Sequence, residues 1–252
     1  PRIFENGKGV TSWEELIKSV RADVKGTKTK LRLGAASGQW KAMVADEAAR
    51  VAFAKNIKKI LEKNKLDGID LDFEWAETEK EYEDYSLAIL KMREVLGDKY
   101  VFSVSLHPVC YKISKEAIAA VDFISYQCYG PSPVRFPMEK YCSDIQMALA
   151  YGIPKEKLVA GVPFYGVTKD GSKKTEAYFS FVQDGLITGS AQNEVTYKGD
   201  VYVFDGQNNI RAKTRYAMDQ QLKGMMSWDL ATDMPLNDSR SLFKTMVEEL
   251  GR

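Results

Sequence analysis

The residues of this chain best equipped for chemistry are the acids of Leu66-Asp67-Gly68-Ile69-Asp70-Leu71-Asp72-Phe73-Glu74-Trp75. Ile69, Leu71 and Phe73 alternate with Asp70, Asp72 and Glu74, so a strand here sends three apolar side chains to one face and three carboxylates to the other. No Lys or Arg stands among them. Successive carboxylates on that face lie about 7 Å apart, and like charges so placed raise one another's proton affinity. Such a row could donate a proton to a leaving oxygen and stabilise a developing positive charge. Two plainer readings are a solvated acidic strand and an Asp-x-Asp pair holding Mg²⁺ or Mn²⁺.

The flanking sequence supplies elements to hold the row. Ser12-Trp13-Glu14-Glu15 reads as a capping box opening a helix over about 12–25. Residues 30–36 form a strand that runs into a Gly and Ala loop, with Ser37, Gly38 and Trp40 just beyond it. Asp46 to Asn64 is a second helix leading into the acidic strand, and Thr78-Glu79-Lys80-Glu81 caps a third that Gly97 ends. Strands are then predicted over 100–106, 121–129, 158–164 (closed by Tyr165-Gly166) and 224–228. Helices are predicted over 114–120, 138–151, 210–222 and 239–250. Short aromatic pieces between Gly, Asp and Lys turns mark 167–209 as a small antiparallel insertion within one domain spanning 1–252. Alternating strands and helices predict an α/β fold with a parallel sheet, and Glu74, last acid of its strand, should stand highest at the carboxyl end where barrel enzymes keep their chemistry.

Composition narrows the partners. The 252 residues carry 36 basic and 35 acidic side chains with no basic run, so nucleic acid and anionic membrane surfaces are not implied. No apolar run is long enough to span a membrane, and no leader is visible, although Pro1 as first residue suits a start inside a longer precursor. Cys110, Cys128 and Cys142 are spaced for neither a disulfide scaffold nor a zinc site and read as buried thiols. His107 is the single histidine, which excludes a histidine metal site; Cys128 lacks the basic neighbours of a nucleophile.

The acid row resembles the DxxDxDxE signature of glycoside hydrolase family 18, the chitinase and endo-β-N-acetylglucosaminidase family, with Asp67, Asp70, Asp72 and Glu74 in register. Residues 121–129 (VDFISYQCY) resemble that family's sixth strand, 158–166 (LVAGVPFYG) its seventh and 224–229 (GMMSWD) its eighth. The resemblance implies a TIM (β/α)8-type barrel with a small α+β insertion between strands seven and eight. It implies Glu74 as the general acid, Asp72 as the group that orients the substrate's acetamido, Asp70 as proton partner of Asp72, Tyr129 as a hydrogen-bond partner of the acetamido and Trp228 as the apolar floor under the −1 sugar. In that family the acetamido oxygen attacks the sugar carbon to give an oxazolinium, so the reaction retains configuration without a protein nucleophile, metal or cofactor. Gln127, Tyr165, Trp75 and Asp67 complete the candidate sugar-binding set, with Tyr165 and Trp75 equally readable as packing or rim aromatics.

The expected substrate is therefore chitin or an N-acetylglucosamine-containing oligosaccharide, acted on outside the cell, in the periplasm or at the cell surface. Departures keep rivals open. Gln127 and Gly130 stand where many chitinases have Met and Asp, which resembles endo-β-N-acetylglucosaminidases acting on N-glycan cores and plant-type chitinases. A non-hydrolytic chitin-binding lectin of the same fold is the rival of another class, although such relatives usually lose the Glu. Arg32-Leu33-Gly34-Ala35 stands where the family has Ser-x-Gly-Gly. Only about six strands can be counted against the family's eight, so the first two barrel strands are expected to be missing, or supplied by another chain, with a monomer expected once they are present.

Overall fold

A computed structural model describes residues 13–36, 38–130 and 136–251. Ser12 and Ser37 lie outside the described residues. The chain divides into two compact units, residues 1–103 with 119–122, and residues 104–118 with 123–252.

The first unit contains α1 (Trp13–Asp23), β1 (Arg32–Ala35), α2 (Trp40–Ala45), α3 (Glu47–Asn64), β2 (Gly68–Asp72), α4 (Glu79–Leu96) and the start of β3 (Val101–Leu106). Its strands are hydrogen-bonded in the order β1-β2-β3, with Arg32 opposite Gly68 and Gly34 opposite Asp70 in parallel register. Of the two predicted capping boxes, the one at Thr78 is present, and the one opening on Ser12 falls outside the described residues. Asp46 accepts from the Ala49 amide, and Thr78 and Glu81 complete a reciprocal capping box. Trp40, just beyond the expected loop, opens the short helix α2 and is fully buried, its indole stacked on Phe73 at 5.4 Å and leaning on Tyr85 at the same distance.

Gly68 is fixed by sterics rather than by dihedral freedom. A Cβ there would lie 1.9 Å from the Val101 carbonyl oxygen, so only glycine lets β2 meet β3 where Val101 N–H donates to Asp67 O at 2.9 Å. Gly68→Ala is expected to lower stability by about 2–3 kcal/mol through overpacking, read as a fall in the denaturant midpoint. An unchanged midpoint would count against this close approach of the strands.

The second unit holds the rest of β3, then α5 (Lys115–Ala120) up to Ile118, β4 (Phe123–Tyr126), α6 (Met138–Tyr151) and β5 (Leu158–Pro163). There follow β6 (Tyr165–Thr168), β7 (Thr175–Ala177), α7 (Tyr178–Gln183), β8 (Glu194–Tyr197), β9 (Asp200–Val203), α8 (Gln207–Asp219), β10 (Gly224–Trp228) and α9 (Leu242–Glu249). Its parallel order is β3-β4-β5-β10. All six residues of β5 are buried, as expected for a strand paired on both edges, with Tyr126 opposite Ala160 and Trp228 opposite Pro163.

The insertion is a four-stranded antiparallel sheet in the order β7-β6-β9-β8 with α7 against it. Tyr165 corrects the expected boundary. It does not close β5 but opens β6, since the parallel ladder makes its last bond from the Phe164 amide to Trp228 O at 2.8 Å and Tyr165 pairs antiparallel with Ala177. Among the described residues the parallel strands number six, and no helix is long and apolar enough to cross a membrane.

Candidate functional site

The acid row is built by β2 and the residues that follow it. Burial alternates as the pattern requires: Ile69, Leu71 and Phe73 are buried, Asp70 and Asp72 are partly exposed, and Glu74 is exposed. The strand ends at Asp72, two residues short of the expected end, so Glu74 projects from an irregular segment. That segment is held from beneath. Trp40 Nε1–H donates to the Glu74 carbonyl at 3.1 Å, and the Tyr85 hydroxyl donates to the Leu71 carbonyl at 3.3 Å. Neither bond uses the Glu74 carboxylate. Just beyond, Glu81 accepts from the Glu77 and Thr78 amides at 2.7 and 3.2 Å, and Lys41 pairs with Glu77 and Glu81 at 2.9 and 3.0 Å. The Glu77 amide and the Lys41 ammonium hold the Glu81 carboxyl below its usual range. Trp75, half-buried, follows Glu74 across a cis peptide bond.

No Lys or Arg stands among the acids in sequence, but the neighbouring strand brings a cation beside them. Arg32 on β1 lies 3.7 Å from Asp70 and donates to the Ser103 hydroxyl of β3, which in turn donates to Asp70. Strand pairing brings Arg32 there from 38 positions away, so local sequence does not show it. Asp67 sits at the opposite end of β2 from Glu74. Its Oδ2 accepts from the Leu31 amide at 2.8 Å and its own amide donates to Leu31 O at 2.8 Å, which assigns it to the entry of β1 and β2. Seven positions along the chain separate it from Glu74, at most about 23 Å if fully extended.

In the second unit the expected strand over 121–129 stops at Tyr126, and Gln127-Cys128-Tyr129 forms a turn. Cys128 N–H returns to Tyr126 O at 3.0 Å, and Gln127 N–H is held by Leu106 O at 2.8 Å. The side chains of Gln127 and Tyr129 meet: the hydroxyl donates to Oε1 at 2.9 Å and lies 3.9 Å from the Met226 sulfur. Tyr165 approaches Tyr129 edge-on at 6.4 Å and Phe136 at 6.2 Å, and these rings pack with Val167, Val203 and Met226. A Cβ on Gly161 would stand 2.8 Å from the Tyr126 carbonyl oxygen and 3.0 Å from the Tyr129 ring and the Met226 methyl, which explains a glycine in the middle of β5.

Lys140 is a residue that sequence reasoning missed. It donates to the Cys128 carbonyl at 3.2 Å and pairs with Asp144 one helical turn on, tying α6 to this turn. Cys128 is buried, and burial pushes its thiol up to about 12, which removes it as a nucleophile. His107 is buried beside an isolated bridge to Cys110. Trp228, at the carboxyl end of β10, remains 54% exposed.

Comparison with known proteins follows the same lines. The chain is 24% identical over 259 residues to a probable chitinase 2 of Drosophila melanogaster, an alignment covering 78% of this chain and 54% of that protein. It thus spans about half the length of the curated relatives it matches. Among solved structures, a chitinase from Bacteroides thetaiotaomicron superposes with a TM-score of 0.84 at 18% identity, covering 96% of this chain and 82% of that one. A chitinase-like agglutinin from Robinia pseudoacacia superposes at 0.74 with 19% identity, covering 94% and 85%. These likenesses establish a TIM-type α/β fold and no more, since an agglutinin shares it. The sequence profile of the glycosyl hydrolases family 18 matches residues 3–233, and the chain belongs to that family.

Proposed function

We propose that this chain hydrolyses β-1,4 bonds of chitin or of N-acetylglucosamine oligosaccharides by substrate-assisted, retaining catalysis. The observation that supports it most is the graded acid row: Asp70 and Asp72 partly buried on β2, then an exposed Glu74 whose backbone is fixed by Trp40.

In this reading Glu74 protonates the glycosidic oxygen as the bond to the anomeric carbon breaks. The substrate's acetamido oxygen closes on that carbon, and Asp72 accepts the acetamido N–H as positive charge develops. Water then opens the oxazolinium, giving its proton to Glu74. Tyr129, held by Gln127, is assigned to the acetamido group, and Trp228 to the apolar face of the −1 sugar. Tyr165 and Trp75 are assigned to the rim. Asp67 serves the scaffold.

The test is incubation with chitotetraose to chitohexaose, with the product anomer followed by proton NMR before mutarotation. Early β-anomer is expected, at a rate proportional to enzyme. Release of glycans from a glycoprotein with no cleavage of chito-oligosaccharides would replace the reading with an endo-β-N-acetylglucosaminidase, which Gln127 favours. Binding to chitin without product in either assay would replace it with an agglutinin.

A further inference from the structure

Within the first unit, Asp70 is gripped from both flanking strands, by the Arg32 guanidinium of β1 and the Ser103 hydroxyl of β3. Both partners of the ion pair are largely screened, with side chains 26% and 16% exposed. Burial lowers Arg32's proton affinity while Asp70 and Asp122 raise it, and guanidinium remains charged throughout the working range. Arg32 stands where the family pattern it resembles has serine.

We propose that Arg32 is a positioning residue for the reaction: with Ser103 it holds Asp70 in place and cancels its charge, so that Asp72 stays anionic toward the acetamido group while Glu74 keeps the transferable proton. The inference rests on the function proposed above.

The geometry requires some such device. Asp72 is the next residue on the same face, about 7 Å along, and a bare carboxylate at that range would raise its proton affinity by about one pH unit or more. Asp67, at the far end of β2, is engaged by Leu31 and lies 3.8 Å from Lys30. Asp122 accepts from the Phe102 amide at 2.7 Å and from Arg93 at 3.0 Å.

Carboxyl-carbon NMR of the whole chain, labelled in aspartate and with Asp70 and Asp72 assigned by Asn variants, reads the effect without needing turnover. Arg32→Met is expected to raise the Asp72 midpoint by about one pH unit, and Arg32→Lys to leave it within about 0.3. The acid limb of kcat/KM on chito-oligosaccharides should move up by the same amount, with KM within about twofold. An unmoved midpoint in folded Arg32→Met overturns the inference even if the chain hydrolyses; a chain that does not hydrolyse overturns the functional reading and leaves the titration to judge Arg32.

Should Arg32→Met fail to fold, the double variant with Asp70→Asn removes the stranded carboxylate. It is expected to fold with the Asp72 midpoint of Asp70→Asn alone. A midpoint different by a pH unit, or failure of the double variant to fold, would reduce Arg32 to a direct or a purely structural role and overturn the inference.

Discussion

Replacing Glu74 by Gln is expected to lower kcat on chito-oligosaccharides by about a thousandfold or more while sugar affinity changes only a few-fold. The amide matches the carboxyl in shape but has no proton to give the leaving oxygen and cannot take one from water, so both halves of the reaction lose their acid–base group. The fold should not register the change. Glu74 is exposed, and the bond that fixes it comes from Trp40 to its backbone carbonyl. The decisive set is kcat, calorimetric affinity for chitotetraose and the thermal midpoint, measured on one preparation. More than a few per cent of parent activity would remove Glu74 as the acid. A drop in affinity matching the drop in kcat would make it a binding residue, since an effect confined to the transition state leaves the ground state alone.

How far the sequence reveals this site depends on the range of the forces that make it. The alternation from Ile69 to Glu74 is a nearest-neighbour pattern, and the burial of Ile69, Leu71 and Phe73 follows from it directly. Thr78 and Glu81, three residues apart, are as local, and their capping box can be read from residue types and spacing alone. The end of β2 is less legible. Phe73 continues the apolar spacing, but it leaves the ladder to stack on Trp40, which pattern alone cannot anticipate.

Tyr165 shows a second limit. The run over 158–164 reads as a strand that Tyr165-Gly166 closes, whereas the chain switches there from the parallel sheet to the antiparallel one and Tyr165 opens a new strand. Arg32, Ser103 and Lys140 show a third, because each acts on a residue brought near by strand or helix packing. The family signature names the acids but says nothing of a cation that replaces serine beside them. In this sense the reactive groups are readable in the sequence and their electrostatic setting is not.

Lys213→Met is expected to cost about 3–5 kcal/mol of stability at pH 7, because it leaves a buried carboxylate without its cation. Lys213 lies in α8 with 3% of its side chain exposed, its ammonium 2.5 Å from Asp205, which is wholly buried, and 5.4 Å from the centre of the Tyr141 ring. Asn209 supplies the other contact, donating to Asp205 at 3.2 Å. Burial already raises the proton affinity of Asp205, with Lys213 and Asn209 opposing it. Removing the ammonium raises it further. A carboxyl whose folded value lies above its unfolded value favours the folded state below the unfolded value and loses that contribution as pH rises through the folded one. The deficit of Lys213→Met should therefore be smallest near pH 4 and grow toward pH 7, as seen by urea unfolding at both. Adding Asp205→Asn should recover most of it, since the pair then contains no uncompensated charge. A deficit below about 1 kcal/mol at pH 7, or one equal at both pH values, would show that water reaches Asp205 and that α8 is not sealed over it.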